Sequence, residues 1–294
     1  MNQKNMQRRT VCTAQKWNAY ILGIALFSFT LVFGFAQEKP TVPAGTLKLR
    51  LATTTSVENS GLLSFLLPQF TAYSGYKVDV IAVGTGAALN LAKNGDVDAV
   101  LVHAPDLEVT FCKEGYGIDR RTFMVNDFLI VGPRNDPAKV AQATSILEAF
   151  SRIAREKALF LSRGDNSGTH VKELEIWKKA ALNPQGAWYK EVGQGMEAVL
   201  WMADNLQAYT LTDSATWAFI KQKTNLAALY RNMSEPILQN IYSVIAVNPA
   251  RHPHSNYTGA TLFIQWICSP EGLKAIESYR IGDEQLFFLY PGSR

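Results

Sequence analysis

Residues 47–103 read LKLRLATTTSVENSGLLSFLLPQFTAYSGYKVDVIAVGTGAALNLAKNGDVDAVLVH. Leu47, Leu49 and Leu51 alternate with polar neighbours, which predicts a strand over Leu47–Ala52. Four hydroxyl residues, Thr53 to Ser56, follow it. Thr55 and Glu58 have capping-box spacing, so a helix is expected from about Ser56, with Leu62, Leu63, Leu66 and Phe70 on its apolar face. Pro68 is expected to kink or divide that helix. Tyr76–Val83 reads as a second strand, Gly84-Thr85-Gly86 as a turn, and Ala87–Lys93 as a helix. Val97–His103 is rich in Val and Leu, as a buried parallel strand should be. This strand–helix alternation predicts an open α/β sheet.

Two later stretches are extended, apolar and end in Pro: Thr122–Pro133 and Ile241–Pro249. Between them lies a second α/β block, with a strand at Ala158–Leu161, a loop at Ser162–Gly168 and a helix over Thr169–Ala181. Beyond Pro249, helices are expected near Leu262–Cys268 and Leu273–Ser278. A chain that builds one lobe, crosses, builds a second and returns has two lobes joined by two strands. The expected division is lobe 1 over 45–132 and 242–294, and lobe 2 over 133–241.

Composition narrows the function. Of 294 residues, 47% are hydrophobic and 18% charged, which permits a sizeable core. The formal charge is +4. Lys4, Arg8, Arg9 and Lys16 account for all of it, because no acidic residue lies in 1–36. The remainder is neutral, which argues against a nucleic-acid partner. The apolar run Ala19–Ala36, with Gly34 and Ala36 before Gln37, reads as a signal peptide (1–36) cleaved ahead of Gln37. An uncleaved anchor is the alternative reading, since the run approaches bilayer-spanning length. No Cys lies at the cut, so a lipoprotein is not expected. Arg8-Arg9 alone is weak evidence for twin-arginine export. Cys12 leaves with the signal. Cys112 and Cys268 remain, in a compartment that permits a disulfide, and two cysteines do not make a disulfide framework.

The chemistry concentrates at strand ends. Arg163-Gly164-Asp165-Asn166-Ser167-Gly168-Thr169 follows a strand and opens a helix. Helix N-termini offer unpaired N–H groups and a partial positive charge. Ser167 and Thr169 add hydroxyls, Gly168 permits close backbone approach, and Arg163 adds a planar fork of donors. Thr54, Thr55 and Ser56 end the first strand, and Thr85 and Gly86 end the second. Ligands of open α/β sheets lie outside the carboxyl ends of strands. These segments together describe a neutral-donor cage for a small anion.

Catalytic signatures are mostly missing. Gly164–Gly168 is not a nucleophile elbow, and Asp165, Ser167 and His170 are too close in sequence for a typical triad. No phosphate loop or dinucleotide fingerprint is present. His252-Pro253-His254 reads as loop decoration, and His103 as a structural residue ending a strand. Tyr209–Asp213 reads as a strand reaching a cap at Asp213, with Tyr209 facing either the cleft or the core. Arg152 is placed on a solvated helix face.

The ordered motifs Thr53–Ser56 with Glu58–Leu62, Val83–Gly86, Asn126–Pro133, Ser162–Asp165 with Ser167–His170 and Lys172-Glu173, Tyr209–Asp213 and Tyr242–Pro249 resemble the tungstate-binding proteins of bacterial ABC importers. The resemblance runs from about Leu47 to the C-terminus. It implies an α/β, two-lobed periplasmic-binding-protein fold, each lobe an open α/β sheet flanked by helices, joined by two crossover strands. It further implies capture of tungstate, sometimes with molybdate, for delivery to an ABC permease and its ATPase; a periplasmic monomer without a cofactor is expected. The implied ligand set is Thr54, Thr55, Ser56, Thr85, Gly86, Arg163, Ser167, Gly168 and Thr169. The arginine element is shared with phosphate-binding relatives. Two positions depart from the family, where Ala87 replaces a frequent Lys and Ser214 a frequent Arg. The competing functional readings are a molybdate or phosphate binder, a binder of an organic ligand, and an exported hydrolase using Ser167.

Overall fold

A computed structural model describes residues 47–292. The signal peptide, its cut site, Cys12 and the leader Gln37–Gly45 lie outside the described residues. The elements are β1 (Leu47–Thr54), α1 (Thr55–Asn59), α2 (Leu62–Ser74), β2 (Tyr76–Val83), α3 (Thr85–Asn94), β3 (Ala99–Val102), α4 (Pro105–Lys113) and β4 (Gly117–Pro133). Next come α5 (Ile146–Glu156), β5 (Phe160–Ser162), α6 (Gly168–Lys179), β6 (Tyr189–Glu191), α7 (Met196–Leu206), β7 (Thr210–Asp213), α8 (Ser214–Ile220) and β8 (Leu226–Tyr230). The chain ends with β9 (Gln239–Val247), α9 (Tyr257–Ile267), α10 (Pro270–Ser278) and the short strands β10 (Arg280–Ile281), β11 (Glu284–Gln285) and β12 (Phe288–Leu289).

β1 lies between β2 and β3 and is parallel to both. β9 returns antiparallel beside β3, and β4 antiparallel beside β9. β4 is the long crossing strand. Its residues 117–127 pair with β9, whereas Phe128–Val131 pair with β7 and Ile130–Pro133 with β8. The change of partner falls between Asp127 and Phe128, opposite the start of β9 at Gln239. β5 joins the second half through a parallel bridge from Phe160 to Tyr209. The expected extended stretches are both present, and β4 starts earlier than the apolar run, at Gly117.

Apolar side chains cover both faces of each half. In the first, Leu49, Leu66, Phe70 and Phe263 pack under α2, α9 and α10, while Ala88, Val100 and Phe111 pack under α3 and α4. In the second, Phe150, Phe160 and Trp177 form a contiguous aromatic group under α5 and α6, and Val199 and Leu200 of α7 cover the other face. α8 belongs to the second half in sequence, yet its Ala215 and Ala218 sit in the first half's apolar cluster. Burial of these side chains contributes about 1.5–3 kcal/mol each relative to exposure. Near the crossing, Arg231 grips buried Asp127 with both fork atoms, at 2.5 and 2.8 Å.

Several local expectations change. The helix after β1 breaks at Ser60-Gly61, not at Pro68, because Gly61 takes φ 74 and restarts it as α2. α2 runs through Pro68, which is exposed, as is Ser64, whose freed carbonyl can meet water. The cap of α1 is Thr54, which accepts from the Val57 N–H at 3.3 Å, rather than Thr55. Tyr209 is a core residue, 1% exposed, with its hydroxyl between Asp136 (2.8 Å) and the Ala138 N–H (2.9 Å). Arg152 is not simply solvated: it pairs with Glu148 at 2.7 Å and donates to the Lys139 carbonyl at 3.1 Å, tying α5 to the preceding turn. Cys112 and Cys268 are free thiols. They pack against different apolar clusters, and burial pushes the Cys268 thiol up to about 11.

Candidate oxyanion site

The register of the first sheet places three loop starts side by side. Thr54 pairs with Val83, and Thr53 with Leu101, so the chain leaves β1, β2 and β3 at one edge. In the second half β5 and β7 run parallel, so Arg163 and Asp213 also leave at a common edge. Asp213 stands opposite Phe128, at the crossing. The two halves meet at these edges. One cleft, of about 370 Å³, is lined by Thr55, Ser56 and Asn59 and faces Met196, Trp201 and Thr216. A second, of about 210 Å³, has His103 and Asp106 on one wall and Gly168 and Lys172 on the other.

The first loop is a hydroxyl relay. Thr54 Oγ1 lies 3.1 Å from Ser56 Oγ, which lies 3.3 Å from His103 Nε2. Thr55 begins α1 and is partly exposed at the cleft. Thr85 is the first residue of α3 with its hydroxyl buried, and a Cβ on Gly86 would meet open space. Ala87 is exposed.

The second-half loop is held by its own ion pair. Arg163 Nη2 donates to Asp165 Oδ2 at 2.5 Å, and Asp165 Oδ1 accepts the Ser167 N–H at 3.1 Å. Asp165 is therefore engaged on both oxygens. Ser167 caps α6 by accepting the His170 N–H at 3.3 Å, while the His170 ring accepts the Asn166 N–H at 3.0 Å. That is the geometry of a capped helix and not of a serine nucleophile beside its base. Gly168 touches the other half: a Cβ there would stand 2.6 Å from the His103 ring.

Among the buried polar atoms near these loops with no hydrogen-bond partner are Thr85 Oγ1, Arg163 Nε, Thr169 Oγ1 and Ser214 Oγ. Each of these four carries a hydrogen to donate. Arg163 is 4% exposed and brings a full charge into this setting. Burial drives the His103 pKa down to about 4, and the Arg163 charge adds to that. Asp213 is raised by burial, with Thr216 and the Arg163 charge opposing. Both Asp213 oxygens are taken by Thr216, at 2.9 and 2.7 Å.

Of the expected residues, Thr55 and Ser56 line the first cleft and Gly168 the second, where it meets the His103 ring whose Nε2 lies beside Ser56. The expected ligand set left out His103, read as a structural residue, and Ser214, noted only as a departure from the family. His103 ends a strand at the ligand edge, which was a usable signal. Its turn is fixed by buried Glu108, which accepts from the Ala104 N–H (2.8 Å) and from Arg120 (2.9 Å). For Ser214 the signal was its place after Asp213, where the family often carries Arg. The histidines of His252-Pro253-His254 bond to the Lys93 and Gly95 carbonyls, a structural role.

A family model described as a PBP superfamily domain matches residues 38–271. The tungstate-binding protein TupA of Peptoclostridium acidaminophilum is 43% identical over 231 residues, covering 78% of this chain and 80% of that protein. TupA of Campylobacter jejuni is 38% identical over 239 residues, covering 80% and 88%. Among solved structures, the tungstate ABC transporter protein of Geobacter sulfurreducens aligns with a TM-score of 0.75 at 49% identity, covering 80% of this chain and all of that one. The two-lobed α/β architecture, the crossing strands and these similarities agree: the chain belongs to the PBP superfamily and, within it, to the family of the TupA tungstate-binding proteins.

Proposed function

We propose that this protein captures tungstate, or a closely related tetrahedral oxyanion, outside the cytoplasm and hands it to an ABC permease and its ATPase. Lobe 1 comprises 45–132 and 242–294, and lobe 2 comprises 133–241. The anion sits between them, held by Thr54, Thr55, Ser56, Thr85, Gly86, Arg163, Ser167, Gly168 and Thr169. The protein acts as a monomer, after removal of residues 1–36, and no covalent bond is made or broken. The observation that carries this reading is that strand-end loops of both halves hold buried donors without partners, Arg163 among them. Burying a polar group unpaired costs roughly 1–3 kcal/mol in proteins. A compact ligand made of acceptor oxygens offsets several such costs at once.

The carboxylates favour a fully deprotonated anion. Hydrogen phosphate must donate its proton to a buried acceptor. Asp165 and Asp213 have their oxygens engaged by Arg163, Ser167 and Thr216. An amino acid would need a carboxylate for its ammonium group, and the same engagement argues against that.

Titration calorimetry and thermal melting of the chain from Gln37 onward, with tungstate, molybdate, sulfate and phosphate, test the reading. Tungstate should bind and raise the melting temperature by linkage, and phosphate should bind more weakly. Failure of every tetrahedral oxyanion to shift the melting curve at millimolar concentration would refute it.

A further inference from the structure

His103 links three parts of the cleft. Its Nε2 meets Ser56 Oγ at 3.3 Å, its ring packs on Tyr242 of β9 with centroids 4.9 Å apart, and Gly168 from the facing half closes on its other edge. It is 4% exposed. The hydrogen count along its relay sets a constraint. Thr54 Oγ1 already accepts the Val57 N–H, so its own hydrogen is free to go to Ser56 Oγ. The Ser56 hydrogen then goes to His103 Nε2, with the imidazole hydrogen on Nδ1. In that arrangement both hydroxyl hydrogens are spent inside the protein. An oxyanion only accepts, so it can use Ser56 only if the relay reverses. The Asn240 side chain bonds the ring and, with its amide nitrogen given to Tyr242, its oxygen keeps a hydrogen on Nδ1, so Nε2 donates only from the imidazolium.

We propose that His103 is a positioning residue that takes up one proton from solvent as the oxyanion enters, changing from acceptor to donor toward Ser56 and turning the Ser56 hydrogen to the ligand. This rests on the oxyanion reading of the cleft. The charged groups around the ring fit the exchange. The Arg163 charge disfavours an imidazolium, and with burial holds His103 near 4 before the anion arrives. Tyr242 stays a neutral phenol, its pKa raised far up by burial. At the cavity mouth Asp106 is exposed, and Lys172 and Glu175 neutralise each other at 2.7 Å. A dianion beside Arg163 offsets the opposing charge and favours the imidazolium.

The test is calorimetry of tungstate binding from pH 6.5 to 8 in buffers of different ionisation heat. The expected result is uptake of a fraction of a proton, growing as pH falls and never exceeding one, so that affinity tightens by less than tenfold per pH unit. His103→Gln, whose amide can donate to Ser56 at every pH, should still bind and should lose the uptake. His252→Gln, remote from the cleft, should keep it. Imidazole ¹⁵N spectra of the unaltered protein give an independent reading: of its four histidines, one should shift toward the charged form on saturation with tungstate. Binding without proton uptake, uptake that survives in His103→Gln, or four unchanged imidazoles would overturn this inference and leave the oxyanion reading standing. No tungstate binding at all would remove both.

Discussion

The two walls of the cleft solve the same problem with different chemistry. The first-half wall, from Thr54 to Ser56 with Thr85, is built of hydroxyls, and carries no formal charge. The second-half wall, from Arg163 to Thr169, carries a guanidinium fixed by Asp165 at 2.5 Å. Hydroxyl donors must be aimed, and the first wall aims them through caps and a relay. A charge acts without a fixed direction, and the second wall spends its hydrogen bonds on holding the guanidinium still. The difference teaches that affinity should be concentrated on one wall and orientation on the other.

Arg163→Ala should give the largest effect. Removing one partner of a desolvated charge pair costs about 2–5 kcal/mol. That corresponds to roughly 30- to 4,000-fold weaker tungstate binding by calorimetry. Arg163→Lys should also lose affinity, since an ammonium cannot reproduce the planar fork. Arg155→Ala is the control, because that side chain is 66% exposed, and it should stay well within tenfold. Near-unaltered affinity in folded Arg163→Ala protein would erase the proposed asymmetry between the walls.

Gly168→Ala probes where the walls meet. Its Cβ would stand 2.6 Å from the His103 ring, so the halves must separate or the ring must move. Overpacking of this kind costs about 1–3 kcal/mol. Tungstate affinity should fall by roughly 5- to 150-fold. An unchanged affinity would show that the halves do not need this contact.

Thr85→Val tests a single donor of the neutral wall. Loss of one neutral hydrogen bond costs about 0.5–1.5 kcal/mol, a roughly 2- to 12-fold weaker affinity. The ligand-free protein should melt at the same temperature or higher, because the buried hydroxyl has no partner to lose. A lower melting temperature with unaltered binding would make Thr85 structural.

The last effect concerns the pH dependence of stability and not affinity. Burial raises the Glu173 carboxyl, behind the arginine loop, to about 7, despite bonds from Tyr189 and Trp177. The folded protein therefore holds a proton that the unfolded chain releases above about 4.5. Stability from this group falls as pH rises from about 4.5 through 7, by at most ~1.4 kcal/mol per pH unit. His103 acts with the opposite sign, losing stability as pH falls from 6.5 toward 4. Chemical denaturation of Glu173→Gln should retain only the rising slope below 6.5. An unaltered pH profile would show that Glu173 titrates normally.

Much of this was legible in the chain. The strand–helix rhythm of 47–103 and the loop from Arg163 to Thr169 came through because both are local patterns. Side-chain period reports a buried face, and a Ser before a Gly-Thr reports a cap. The proposed site was drawn from its loops for the same reason: ligands of open α/β sheets lie at strand ends. Arg152 was read as solvated because its tie to the Lys139 carbonyl comes from outside its helix. The helix break moved from Pro68 to Gly61 because only the folded backbone shows which residue takes φ 74, and Tyr209 was left between cleft and core. Tyr209 is in the core because Asp136 and Ala138 bond its hydroxyl, and nothing near residue 209 announces that.

The sequence by itself therefore determined the α/β class, the crossing segments, the caps of α6 and α8 and the residue types offered to a ligand. These follow from spacing along one chain and from intrinsic backbone preferences. Tertiary structure alone decided which strand ends face each other and which half α8 packs against. It also decided that Asp165 is engaged by Arg163, and that His103 lies buried between Ser56 and Gly168. The physical reason is that burial and partner choice are properties of the packed whole. A carboxylate or imidazole acquires its charge state and its hydrogen-bond direction only when distant segments desolvate it together.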